Sequence, residues 1–122
     1  MKVYRVESRG IGPYRSAWGN LFGIDDRLDM CYEHGNNNYP SPYLDGFSKE
    51  AQAFYNRCGF SSKEKLKKWF SIKWRYKMDK AGFKVHVYIV DSKNVYHGDS
   101  GKQVLFDPNK AKLISKISLT EI

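Results

Sequence analysis

Hydrophobic and polar positions alternate at the start of the chain. Val3, Arg5 and Glu7 fall on one face, Tyr4 and Val6 on the other. A period of two predicts a half-buried strand over 2–7. Gly10, Gly12 and Pro13 then break it. From Arg15 to Tyr43 no period is sustained, and the run Gly35-Asn36-Asn37-Asn38-Tyr39-Pro40-Ser41-Pro42 predicts a loop. Long irregular segments inside compact domains are often functional. This one holds or adjoins Tyr14, Trp18, Tyr32, His34, Tyr39, Tyr43 and Asp45. Such residues suit a wall that faces a ligand, and equally a loop packed on a core.

Ser48 to Tyr55 reads as a short helix or turn. The period then lengthens. Ser61 and Glu64 have capping-box spacing, with Ser61 as N-cap. Leu66, Trp69 and Phe70 follow at i, i+3 and i+4, an apolar stripe that predicts one main amphipathic helix with its lysines in solvent. Alternation returns over 83–90, where Phe83, Val85, Val87 and Ile89 share a face opposite Lys84, His86, Tyr88 and Val90. Short strands are predicted at 95–97 and 103–106 and a longer one at 111–119, separated by turns at 91–94, 97–101 and 107–109. The expectation is one α+β domain over 1–122.

Composition narrows the classes. The chain has 122 residues, 41% hydrophobic and 16% aromatic, enough for one core and too apolar for a disordered chain. No apolar run approaches the roughly 20 residues of a membrane span, and the start lacks a signal peptide's apolar region. A cytoplasmic protein without membrane contact is expected. Cys31 and Cys58 have no metal-ligand spacing and are expected to be free and partly buried, with Cys58 near enough to the 59–62 turn to line a pocket. His34, His86 and His97 show no ligand spacing either, and no Walker loop, Rossmann fingerprint or nucleophile elbow is present. No metal is expected.

The net charge is +8, and residues 63–84 hold nine basic and two acidic side chains, +7 of that total. This stretch is either the solvated side of a helix or a surface for phosphates and nucleic acid.

Three elements in order carry a more specific signal: Tyr4-Arg5 in the first strand, Gly59-Phe60-Ser61-Ser62 entering the helix, and Gln103-Val104-Leu105-Phe106-Asp107-Pro108 before the last strand. Their order resembles the arginine–serine–glutamate branch of the mono-ADP-ribosyltransferase superfamily. The likeness covers the first strand and most of 59–119, and leaves about 15–55 unmatched. The chain is also similar to small bacteriophage proteins. The superfamily resemblance implies a split β-sheet and a site for NAD or an ADP-ribose-derived nucleotide. Arg5 would grip phosphate or ribose with its planar fork, and Ser61 or Ser62 would fix the nicotinamide ribose. Tyr4, Phe60 or Tyr88 would stack on a ring. The family's catalytic glutamate falls at Gln103, and a further one at Gly101. Glutamine can hydrogen-bond a ribose but brings no charge to a developing cation, so binding with impaired transfer is expected. Asp99 and Glu7 are the carboxylates near enough in sequence to substitute.

A second expectation, from another class, is a module without enzymatic activity that binds nucleic acid or a host protein through the 63–84 surface and the loop aromatics. A third is an assembly protein with no small ligand.

Overall fold

The computed structural model describes residues 1–14, 29–31, 33–34 and 38–122. Trp18, Tyr32 and the 35–37 part of the expected loop lie outside the described residues.

Among the described residues, the main elements follow one another as β1 (Lys2–Glu7), β2 (Arg57–Gly59), α1 (Lys63–Trp69), α2 (Ile72–Lys80), β3 (Lys84–Val90), β4 (Val95–His97), β5 (Val104–Phe106) and β6 (Ala111–Ile117). They make a small α+β fold with two antiparallel sheets, ordered β1-β3-β6 and β2-β5-β4. Among the described residues the sheets meet at one isolated bridge, where Tyr4 and Phe60 exchange both backbone hydrogen bonds at 2.8 Å. Beyond that bridge β1 and β2 part, so the sheet is split. β2 was not anticipated: three residues are too few to show a period. Gly59 lets β2 come close, because a Cβ there would lie 2.6 Å from a Val3 methyl and 3.2 Å from the Tyr4 carbonyl.

The expected single helix is two. Phe70 and Ser71 have extended backbone between α1 and α2. Arg75 Nε donates to the Phe70 carbonyl at 3.0 Å, satisfying an acceptor that the helix end leaves open. The break lets Leu66, Trp69 and Phe70 from the first piece, and Trp74 and Met78 from the second, enter one core. The cap sits one residue later than the capping box implies: Ser62 Oγ accepts from the Lys65 amide at 3.2 Å. Ser48 to Tyr55 forms turns rather than a helix.

β3 lies between β1 and β6 and is covered on both faces, which explains why both of its residue sets are buried except the half-buried Lys84 at its start and the exposed Ile89. On one face Val6, Val85, Val87 and Phe83 pack against the helices. On the other, Val3, Tyr88 and Val90 pack against Val95, Val104 and Phe106 of the second sheet. Asp79 at the end of α2 accepts from Lys84 Nζ, Ser118 Oγ and the Leu119 amide, pinning the chain beyond β6 to the helix. Among the described residues, no helix is long and apolar enough to cross a membrane.

Candidate functional site

The parting of β1 from β2 leaves a cavity of about 480 Å³, within the roughly 300–1,000 Å³ range of small-molecule sites. Its polar wall comes from the two sheets. Arg5 reaches it from β1 and Gln103 from the residue before β5. Arg5 is not the solvated strand residue that its place on an open face would allow. It is 7% exposed, donates through Nε to Glu7 at 2.8 Å and through Nη1 to the Cys58 carbonyl at 2.8 Å. Its Nη2 lies beside Gly12, where a Cβ would stand 3.2 Å away, and no protein acceptor contacts that nitrogen among the described residues.

Glu7 completes a buried network behind Arg5. Its Oε1 accepts from the Tyr88 hydroxyl at 2.8 Å and lies 3.4 Å from His86 Nε2. Burial raises the Tyr88 pKa, and so do the hydrogen bond to Glu7 and its charge. Burial lowers the His86 pKa despite Glu7. Arg5 and Glu7 stand two apart on one strand, so their spacing alone placed them side by side. That signal was available in the sequence.

Gln103 is 3% exposed, with Nε2 donating to the Pro40 carbonyl at 2.6 Å and to Asp45 Oδ2 at 3.0 Å. Asp45 also accepts from the Ser100 amide at 2.8 Å and its hydroxyl at 2.9 Å. The carboxylate is seated by Gly98, which has no Cβ to fill the space: one there would lie 2.1 Å from Asp45 Oδ2.

The opposite wall is aromatic. His34 and Tyr39 come from the aperiodic segment and Tyr14 from just before it, Phe60 from the sheet junction, and Trp69 and Phe70 from the end of α1. His34 sits among four rings, with centroids 4.5 Å from Tyr39, 5.6 Å from Phe70, 5.7 Å from Trp69 and 5.8 Å from Tyr14. Trp69 Nε1 donates to the Tyr14 oxygen at 2.8 Å, and Tyr14 and His34 Nδ1 are hydrogen-bonded at 2.5 Å. Burial raises the pKa of the Tyr14 hydroxyl and lowers that of His34, against the neighbouring Glu33 charge. A neutral His34 accepting from Tyr14 is consistent with both directions.

Of the residues assigned to a nucleotide site from the sequence, the cavity brings together Arg5, Phe60 and Gln103, and the loop residues Tyr14, His34 and Tyr39 join them. Tyr4 lies on the face toward the helices, packed on their core. Ser61 and Ser62 are half-buried away from the cavity lining, and Ser62 is used as a cap. Tyr88 faces Glu7 and Phe106 rather than the cavity. Asp99 stands against Gly46, and Glu7 behind Arg5, so neither takes the place that Gln103 occupies. Tyr43 is 84% exposed and Asp45 is buried behind Gln103. Trp69 and Phe70 were expected only as core and serve also as wall. Cys58 lines the cavity with a free thiol whose pKa burial raises, against Arg5 and Arg57. That keeps it protonated and a poor nucleophile. No metal-binding cluster occurs among the described residues.

A family model described as "Bacteriophage T4 Y00F protein" matches residues 1–120, and the chain belongs to that family. No curated protein and no solved structure matches it.

Proposed function

We propose that this member of the bacteriophage T4 Y00F family is an ADP-ribosyltransferase-like protein that binds NAD or an ADP-ribose-derived nucleotide in the aromatic cavity. The observation that carries the reading is that Arg5, Phe60 and Gln103, drawn from three separate motifs, line one cavity. Planar rings would lie against Tyr39, Phe60 or Trp69, and the open edge of the Arg5 guanidinium would meet ribose or phosphate oxygens. Gln103 would hydrogen-bond a ribose. Without a charge at that point, one electrostatic contact to the oxocarbenium-like transition state is missing, which costs about 100- to 1,000-fold in rate. Binding without appreciable transfer follows, a property suited to a phage product that withholds a host nucleotide or occupies a host protein.

Nucleic-acid binding along 63–84 has less support. Lys73 and Lys77 lie over Trp74 at 4.3 and 5.6 Å, and Lys84 pairs with Asp79 at 3.2 Å. The stretch is thus divided between helix faces instead of forming one stripe.

Calorimetric titration with NAD, ADP-ribose and nicotinamide tests the proposal on wild type and Arg5→Lys. The lysine keeps a cation beside Glu7 but loses the fork, and should weaken nucleotide binding about tenfold. Absence of binding to wild type would overturn the reading. A labelled-NAD assay should show no transfer by wild type.

A further inference from the structure

Beside the aromatic cavity lies a second depression, of about 430 Å³, whose lining includes Lys65, Lys68 and Lys102. The two share Tyr39 and Trp69 as a common partition. Lys65 and Lys68 stand three apart on α1, so both project to one side of the helix, the side that also carries Trp69. Lys102 arrives from the turn before β5. Its Nζ donates to the Asn38 carbonyl at 2.5 Å and sits 5.9 Å from the Tyr39 ring centre. Three lysines from two distant parts of the chain therefore line one depression.

Among the described residues, no carboxylate lines the depression. Asp45 is the acid held behind its rim, and its oxygens are taken by Ser100 and Gln103. The lining thus carries three positive charges and, among the described residues, no negative one. Compact ammonium donors suit a tetrahedral, multiply charged anion better than a planar carboxylate, for which a guanidinium fork is the closer match.

We infer that this depression is a phosphoryl-binding subsite contiguous with the aromatic cavity, able to hold the diphosphate of a ligand whose ring lies across Tyr39 and Trp69. The anion half stands on the lysine geometry alone, and the ring half rests on the nucleotide reading above. A small ligand filling both would be a nucleoside diphosphate or a molecule built on one. Free inorganic diphosphate would fill only the second.

Calorimetry with inorganic pyrophosphate, adenosine and ADP separates these. Lys68→Ala/Lys102→Ala removes two lining charges, and Lys63→Ala/Lys67→Ala removes two exposed charges of the same helix that do not line the depression. Pyrophosphate should bind wild type, weaken about tenfold in the first pair and less than about twofold in the second, the scale of a few exposed charge contacts. Added salt should weaken it further. Equal losses in both pairs, or no pyrophosphate binding, would overturn the subsite. ADP tighter than pyrophosphate, with the same lysine dependence, supports the joined site. Lysine-dependent pyrophosphate binding with ADP no tighter leaves the subsite standing and removes the nucleotide reading of the aromatic cavity.

Discussion

The two walls of the cavity are built in opposite ways. Arg5 and Gln103 on the polar wall are each held by a buried carboxylate, Glu7 for one and Asp45 for the other. The aromatic wall is held by ring packing and one relay of hydrogen bonds, Trp69 to Tyr14 to His34. Arg5 sits in a strand, and Gln103 directly before one, whose registers are set by sheet pairing. Much of the aromatic wall comes from a segment with no period. Ring packing tolerates shape change better than a buried charge tolerates losing its partner. The polar wall should therefore be stiff and easily broken, and the aromatic wall adaptable and sensitive to conditions.

Glu7→Gln tests the stiff wall hardest. It removes the charge that balances the buried Arg5 guanidinium, and its one amide oxygen can accept from Arg5 or from Tyr88, where the carboxylate accepts from both. Stripping one partner from a buried ion pair costs about 3–5 kcal/mol, read as a lower midpoint in urea unfolding. Arg5→Leu/Glu7→Leu should recover most of that stability while losing nucleotide binding, because it removes both charges together. A cost below about 1 kcal/mol for Glu7→Gln would mean that the polar wall is no stiffer than a surface pair.

The comparison also marks what could be read in advance. The α+β class, β1 and the strand at 83–90 follow from alternation, and the strands at 95–97, 103–106 and 111–119 from the turns that bound them. Motif order singled out Arg5, Phe60 and Gln103, which the fold brings to one cavity. Local periodicity could not give β2, whose three residues gain strand character only from pairing with β5. Nor could it give the division of the helix at Phe70. The tie between Gln103 and Asp45 spans 58 positions, and no local pattern encodes it. That tie changes what a substitution at 103 should do. On the resemblance to ADP-ribosyltransferases alone, Gln103→Glu would supply the carboxylate of that superfamily's pattern and should gain transferase or NAD glycohydrolase activity. In the fold it turns a donor into an acceptor between the Pro40 carbonyl and Asp45 Oδ2. The expected cost is about 1–3 kcal/mol, with little activity gained. Gln103→Glu/Asp45→Asn restores a donor–acceptor pair and should recover stability and show whatever NAD cleavage the site can support. If Gln103→Glu alone is as stable as wild type, the polar wall is more adaptable than its hydrogen bonds imply.

The aromatic wall should respond to pH. Burial lowers the His34 pKa against the pull of Glu33 and of its hydrogen bond to the Trp69 backbone, and Tyr14, Tyr39, Trp69 and Phe70 face the imidazole. Protonation places a charge among those rings and a hydrogen on Nδ1, where Tyr14 now donates. An unfolded histidine has a pKa of about 6.5, so below that value the unfolded chain takes up protons before folded His34 does. Stability is then fully present above about pH 6.5 and declines as pH falls through the window beneath it. His86 acts with the same sign, its pKa lowered by burial and by Lys116 and Arg5 against Glu7 and the Lys84 carbonyl. Thermal unfolding at pH 7.5 and 5.5 should therefore give the lower midpoint at pH 5.5. His34→Gln, which cannot protonate, should shrink that difference while leaving the His86 part in place. An undiminished difference in His34→Gln would assign the pH response to the polar wall, and the aromatic wall would lose the sensitivity that distinguishes it.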